Sequence, residues 1–486
     1  MNNRITRVAG VAMTLLIALV VATTYWQTWA RPALADRQDN EIQRVAQFSI
    51  ERGQIRSPSR LLARNREVEV DGRTLFLRRY PQGGLTAHVV GYSTASRARA
   101  GLERSLNDYL TGSTTSLSSL VDVSLDKLRG EPVKGDHVEV TLDLDAQRVA
   151  LEELGSNCGA VAAIDPRTGR VLVLASSPTY DPNFVENNYS KIERTRADCS
   201  PAAPFVNRAT AGLYAPGSTF KVVTASAALD SGKYTPESTF YDPGYCVAYG
   251  KRVNNFDTSS PFGTISLATA LQYSVNSVFC NIGQALGSKR ILDEAKQFGF
   301  YELPPLETPE NERRASGLYR DGELYYPKRS SDVDAGRTAF GQERLLTTPL
   351  QMAMVAGAIG NAGILMRPYV VHRILAPGGK VVLKTERERI RRAVKPTTAR
   401  DVGDMMVRAV QSGTGTAAQI SGYRIGGKTG TAETGVAGRN TTWFIAFAGP
   451  YDERPTVAIA VVLENQSSTG GATAAPIARA VMQALL

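Results

Sequence analysis

The chain opens with two cations, Arg4 and Arg7, and then carries no charge from Val8 to Ala30. A helix over that run rises about 1.5 Å per residue and reaches roughly 34 Å, enough for a hydrocarbon core of about 30 Å. The pattern predicts one membrane-crossing helix, its short basic tail in the cytoplasm and everything after it outside. The rival reading is a cleaved signal, because Ala33-Leu34-Ala35 looks like a cleavage site. That site lies beyond Trp26, Arg31 and Pro32, far from the apolar run, which favours an uncleaved anchor.

Residues 36–48 are polar and predicted helical. From there to Gly135 the pattern is short and turn-rich. Glu67-Val68-Glu69-Val70 alternates like a half-exposed strand and runs into the turn pair Asp71-Gly72. After Gly135 the runs change character. Residues 138–142 alternate as a strand, and residues 145–154 put Ala146, Val149, Ala150 and Leu154 on one helical face. Residues 159–164 and 171–175 are apolar and flank a turn at 165–170, which predicts a buried hairpin. Helical patterns dominate the middle. Residues 443–449 and 456–463 are again strand-like, and an apolar helix is predicted over 474–486. Strands at both ends with helices between them predict one sheet covered by helices, an α+β fold. The expected division is 1–35 for tail and anchor, 36–135 for a small first domain, and 136–486 for the main domain.

Composition narrows the function. The 486 residues are 43% hydrophobic and 21% charged, ordinary for a globular chain, with a net charge of +10. The cations are scattered, and the cluster Arg387, Arg389, Arg391 and Arg392 is broken by Glu386 and Glu388. That argues against a nucleic-acid stripe and for a solvated face. Anionic lipid or cell-wall polymer suits the same charge. The three histidines, His88, His137 and His372, sit in no ligand-spaced motif, and no Cys-x-x-Cys occurs, so neither a metal nor a cofactor is expected. Scarce histidine also pushes any serine chemistry toward a lysine base. Four cysteines, Cys158, Cys199, Cys246 and Cys280, permit disulfides outside the cell; Cys246 with Cys280 is the preferred pair, against free buried thiols.

Candidate chemistry centres on Gly217-Ser218-Thr219-Phe220-Lys221. Residues three apart share a helical face, which puts the Ser218 hydroxyl within reach of the Lys221 amine. A buried lysine with a lowered pKa can take the serine proton. Ser-x-x-Lys alone is weak evidence, and Ser124-Leu125-Asp126-Lys127 repeats it as an ordinary solvated segment. Two later stretches give it company. Ser274-Val275-Asn276 lies in an apolar run, where a hydroxyl and an amide need partners or serve a site. Lys428-Thr429-Gly430-Thr431 is the only Lys-Thr-Gly in the chain, and its small residues would let a peptide add along a sheet edge. Each alone is more often a cap, a buried polar pair or a turn.

Together, in this order, the three resemble the motif set of penicillin-binding proteins and class A β-lactamases. The resemblance extends to Asn207-Arg208-Ala209, Tyr214-Ala215-Pro216, Gly341-Gln342, residues 348–353, Ser412-Gly413-Thr414-Gly415 and Trp443-Phe444. Arg52-Gly53-Gln54-Ile55, residues 88–92 and Gly101-Leu102-Glu103 resemble the pedestal motifs of class B penicillin-binding proteins, most like the short actinobacterial type. The likeness covers nearly the whole chain.

That resemblance implies a cell-wall D,D-transpeptidase. Ser218 would be the acylated nucleophile and Lys221 its base. Ser274 would relay a proton to the leaving group, and Asn276 would bind the substrate amide. Lys428, Thr429, Gly430 and Thr431 would line the carboxylate side, with the Ser218 and Thr431 amides as oxyanion hole. Stem peptides on lipid-linked precursor strands would be substrates and β-lactams their mimics. A SEDS-type membrane polymerase is the implied partner, since residues 36–135 leave no room for a glycan-polymerising domain. In the pedestal, Arg52 and Glu103 are expected to pair. A β-lactamase is disfavoured because Glu103-x-x-Leu106-Asn107 precedes the nucleophile and Val275 replaces the usual Asp. A D,D-carboxypeptidase and a non-catalytic β-lactam sensor remain as alternatives.

Overall fold

The computed structural model describes residues 2–25, 47–70, 72–113, 134–436 and 438–486. Most of the helix expected over 36–48, the Ala33-Leu34-Ala35 site and the second Ser-x-x-Lys at Ser124 lie outside these. A short 3-10 turn covers Gln47–Ser49.

Helix α1, Asn2–Tyr25, is apolar and exposed on all sides, and its Thr6–Tyr25 stretch is long enough to cross a membrane. Its Thr14 and Thr23 hydroxyls donate to the Gly10 and Leu19 carbonyls of their own helix, at 2.9 and 2.8 Å. Polar side chains are thereby satisfied without water, as hydrocarbon demands.

The next elements are β1 (Ile55–Arg56), β2 (Leu61–Val70), β3 (Arg73–Arg79) and the short helix α2 (Gly101–Ser105). Strand β4 (His137–Val140), helix α3 (Leu144–Leu154) and the hairpin β5 (Gly159–Ile164) and β6 (Val171–Ser177) follow. Asp143 starts α3 by accepting from the amides of Asp145 and Ala146, satisfying N–H groups that have no partner within the helix. The buried face of α3 is Ala146, Gln147, Ala150 and Leu154, with Val149 only half-buried. Gln147 replaces it there because its amide closes on Leu174, accepting from N at 2.8 Å and donating to O at 3.1 Å.

The middle of the chain holds α4 (Lys221–Asp230), then β7 (Thr239–Asp242), β8 (Tyr245–Ala248), β9 (Lys251–Asn254) and β10 (Gly263–Ser266). These short strands add to the helices expected to dominate this stretch. They are four residues each, too short to show a period. Helix α5 (Asn276–Leu286) and helix α6 (Pro349–Gly360) lead to β11 (Val371–Leu375) and β12 (Val381–Lys384). The chain ends with α7 (Pro396–Ser412), β13 (Tyr423–Glu433), β14 (Asn440–Pro450), β15 (Val457–Gln466) and α8 (Ala474–Leu485).

Five strands form the central antiparallel sheet in the order β13-β14-β15-β5-β6. Alternate residues point to opposite faces. On β14, Trp443, Ile445 and Phe447 join the larger core, which includes α6 and α7, while Phe444, Ala446 and Ala448 pack with α3 and α8. Both faces are covered, so β5, β6 and the middles of β14 and β15 read as apolar runs. Each fully buried Phe or Ile contributes about 1.5–3 kcal/mol.

A second sheet, in the order β12-β11-β4-β1-β2-β3, takes strands from both halves of the chain. Strand β4 sits between β1, which it pairs in parallel, and β11, which it pairs antiparallel. The small first region is thus joined to the main one by backbone hydrogen bonds. It also has a charged centre. Glu103 takes Arg52 on one carboxylate oxygen and Arg78 on the other, both at 2.7 Å. The Arg52–Glu103 pair matches expectation; Arg78 comes from a different strand and had no motif to announce it. Burial works to raise the Glu103 pKa, but Arg78 and Arg52 outweigh it and hold it below the usual carboxylate value.

Candidate active site

Ser218 sits on a 3-10 turn, Gly217–Phe220, that runs directly into α4 at Lys221. Three residues make one 3-10 turn, so Ser218 and Lys221 are stacked on one line rather than merely sharing a face. The turn is held from two sides. Gly217 has a positive φ of +52° and donates its N–H to Gly341 O at 3.0 Å. Gly341 has φ +78°, and a Cβ there would stand 2.0 Å from Gly217 O, so only glycine fits. On the other side, β13 runs close by: a Cβ on Gly430 would meet Pro216 O at 2.9 Å. Trp443 on β14 donates its indole N–H to Ala215 O at 3.0 Å, fixing the approach to the turn.

Lys221 is fully buried. Its Nζ donates to Ser274 O at 2.6 Å and Asn276 Oδ1 at 2.7 Å, and lies 3.3 Å from Ser274 Oγ. The direct Ser218–Lys221 bond that the spacing suggested is not among the hydrogen bonds of the described residues. Lys221 instead reaches across to the Ser274 turn, where a carbonyl and an amide oxygen compete for it. Lys428, also buried, donates to the same Ser274 Oγ at 2.8 Å and to Thr429 O at 3.0 Å. Two lysines therefore meet at one hydroxyl. Burial takes the Lys221 pKa well below the ordinary lysine value, and the nearby Lys428 charge lowers it further. Burial brings Lys428 down to about 7.

Ser274 itself has φ +62°, left-handed backbone that a serine adopts only when its surroundings enforce it. The enforcement comes from below. Buried Asp242 accepts from Gly244 N at 2.9 Å, Asn255 Nδ2 at 2.8 Å and Phe262 N at 3.0 Å, and from the Ser277 hydroxyl. Asn255 Oδ1 in turn takes the Ser277 N–H at 3.0 Å, and Asn276 Nδ2 donates to Asn254 O at 2.9 Å. The Cys246–Cys280 disulfide ties β8 to α5 in the same place.

Strand β13 forms the opposite wall. Among the described residues it pairs only with β14, so its other edge has no strand partner there. Thr429 Oγ1 meets Thr414 Oγ1 at 2.7 Å, and Thr431 Oγ1 accepts Gly470 N–H at 3.3 Å. Ser218, Lys221, Ser274, Asn276, Lys428, Thr429, Gly430 and Thr431 thus converge on one cleft.

Comparison with known proteins agrees with this geometry. Residues 159–483 match the model of the penicillin-binding protein transpeptidase domain, and residues 52–138 match the penicillin-binding protein A dimerisation domain. The chain is 35% identical to the peptidoglycan D,D-transpeptidase PbpA of Mycolicibacterium smegmatis over 510 residues, covering 100% of this chain and 99% of that protein. It belongs to the penicillin-binding protein transpeptidase family. Against penicillin-binding protein A from Mycobacterium tuberculosis, solved as a ceftriaxone acyl-enzyme, the TM-score is 0.80 at 32% identity, over 91% of this chain and 100% of that one. Penicillin-binding protein 3 from the same organism, with aztreonam, gives 0.73 at 26%, over 90% and 95%.

Several residues that build this family site carried no sequence signal of their own. Asp242 and Asn255 are isolated polar residues whose role exists only after the small hairpins close. Glu464 is another: it accepts from Arg208 Nε at 2.9 Å and Tyr214 Oη at 2.7 Å, securing the segment that leads to Ser218. The second disulfide, Cys158–Cys199, lies beside it and accepts from Arg208 at Sγ of Cys199, at 3.4 Å. Arg208 lay inside a motif; its partner did not.

Proposed function

We propose that this chain is a serine D,D-transpeptidase that cross-links peptidoglycan stem peptides, with Ser218 as the acylated residue. The observation that carries the reading is the meeting of Lys221 and Lys428 at Ser274. A neutral Lys221 has two N–H bonds and one lone pair. Ser274 O and Asn276 Oδ1 take the two donors, which leaves the lone pair to accept a proton. In this reading Ser218 Oγ attacks the penultimate D-Ala carbonyl and its proton passes to Lys221. Ser274, polarised by Lys428, relays a proton to the departing D-Ala amine. The Ser218 and Thr431 amides stabilise the oxyanion. Lys221 is the source of that relayed proton and is neutral again when an amine of a neighbouring stem peptide attacks the ester; the amine's proton passes to Lys221, which returns it to Ser218 Oγ as that oxygen leaves. The substrate lies along the open edge of β13, with its carboxylate toward Lys428, Thr429 and Thr431. A β-lactam would acylate Ser218 by the same route.

The same reading places α1 in the cell membrane as a single span and the rest of the chain outside, divided at about residues 35 and 135. Two disulfides support an oxidising compartment. The glycan strands would come from a separate SEDS-type polymerase. Labelling with fluorescent penicillin tests the site: wild type should label, and Ser218→Ala should not. Equal labelling would reject Ser218. Incubation with nascent strands then separates cross-linked dimers, expected here, from trimmed monomers, which would indicate a carboxypeptidase.

A further inference from the structure

Outside α1, exposed aromatic rings crowd one short stretch beside the cleft. Tyr241 is 69% exposed, Phe256 84%, Phe262 44% and Tyr273 42%. Phe262 and Tyr273 lie against each other, and apolar side chains gathered into a patch mark a contact surface. Their frame is rigid. Tyr273 immediately precedes Ser274, and its ring lies 5.4 Å from that of Phe262. The Phe262 N–H is held by Asp242 at 3.0 Å. Phe256 follows Asn255, which Asp242 also holds. The backbone that carries the rings is therefore tied to the scaffold that shapes the Ser274 turn, which lowers the cost of ordering this segment on a ligand.

The chemistry between the rings identifies the occupant. Asn254, Asp257, Thr258 and Ser259 are exposed and polar. A lipid or a protein core would offer these exposed groups no hydrogen bonds beyond the Arg252–Asn254 and Ser259–Asp257 pairs they already make. A pyranose offers both an apolar C–H face and a rim of hydroxyl and amide groups, matching rings set among hydrogen-bonding side chains. The stem peptide is covalently attached to such a polymer, so any peptide in the cleft brings its glycan to the mouth.

We propose that Phe256, Phe262 and Tyr273 form an aromatic rim that stacks on the N-acetylated sugars of the glycan strand and positions strand-linked stem peptides. The identity of the polymer rests on the function proposed above; the rim itself does not depend on catalysis. The test is equilibrium binding of uncross-linked glycan strands, enzymatically stripped of peptide, to the full-length protein in detergent. Fluorescent-penicillin acylation is measured in parallel on the same samples. Phe256→Ala, Phe262→Ala and Tyr273→Ala should each weaken glycan binding by about tenfold, the scale of a well-packed aromatic contact. Phe262→Tyr and Tyr273→Phe should stay within about twofold of wild type. Penicillin carries no sugar, so its acylation rate should fall far less than glycan affinity. Wild-type protein that binds no stripped glycan, or alanine variants that bind it normally, would overturn the rim. So would a parallel loss of both readouts in the alanine variants, since the rings would then only brace the Ser274 turn. Failure of wild type to be acylated would instead count against Ser218, and the glycan arm would still decide the rim.

Discussion

Replacing Glu103 with glutamine keeps the shape and one acceptor of the side chain but removes its charge. In the native protein its two oxygens hold Arg52 and Arg78, and the exposures of the three side chains are 0%, 4% and 0%. Neither guanidinium can turn to water. Arg52 also donates to Asn107 Oδ1 and Glu103 O, at 2.8 and 2.6 Å, so its position is fixed by more than the pair. Removing one partner of a buried ion pair costs about 3–5 kcal/mol, because the surviving charge stays buried. Here two like charges survive side by side, which puts Glu103→Gln at the upper end of that range. With a urea slope of roughly 1–3 kcal/mol per molar, the unfolding midpoint should drop by more than about 1 M. Circular dichroism against urea measures it. The pH dependence has a definite sign. The folded Glu103 pKa lies below its unfolded value, so its stabilisation is complete above the unfolded carboxylate range and lost as pH falls through the folded pKa. Wild type should therefore converge on the variant in acid. A midpoint shift below about 0.3 M, or strict additivity of Arg52→Ala with Glu103→Ala, would refute the buried charged centre.

Three further outcomes follow from the cleft and its supports. Lys221→Met should lower penicillin acylation by roughly 10²–10⁴-fold, and wild-type acylation should fall as acid protonates Lys221, a limb that stopped-flow rates across pH will place below the ordinary lysine range. Gly341→Ala should distort the Ser218 turn, because its Cβ would sit 2.0 Å from Gly217 O at a positive φ; acylation should drop at least tenfold while far-UV dichroism stays native-like. Replacing Cys246 and Cys280 together by serine opens a link across 34 residues and should cost about 2–4 kcal/mol in urea unfolding, read beside the wild type.

What could be read in advance followed from periodicity and from clustered motifs. The hairpin β5–β6, strands β14 and β15 and helix α8 announce themselves because both sheet faces are buried and the runs are apolar. Ser218, Lys221, Ser274, Asn276 and Lys428 could be proposed because each lies in a short string of particular residues. Residues that act only through tertiary closure were not. Arg78, Gln147, Asp242, Asn255 and Glu464 each bond partners far away in the chain, and none is flanked by anything unusual. The same reason hid the shared sheet: β4 looks like the start of one domain, yet it bonds both β1 and β11. The direct Ser218–Lys221 bond was inferred from spacing alone, and spacing does not register the oxygens of Ser274 and Asn276 that capture the amine.

The open edge of β13 has a consequence for the protein's behaviour at high concentration. A strand edge eleven residues long with no partner is ordinarily a template on which other chains stack into aggregates. This one has a lysine with its head sunk inside it, at Lys428. A passing strand would have to pair over a buried amine that turns cationic as pH falls through about 7, and few sequences bring a matching anion to the right rung. The lysine thus acts as a gatekeeper for solubility, and a Lys428→Met protein should turn cloudy at concentrations where the wild type stays clear.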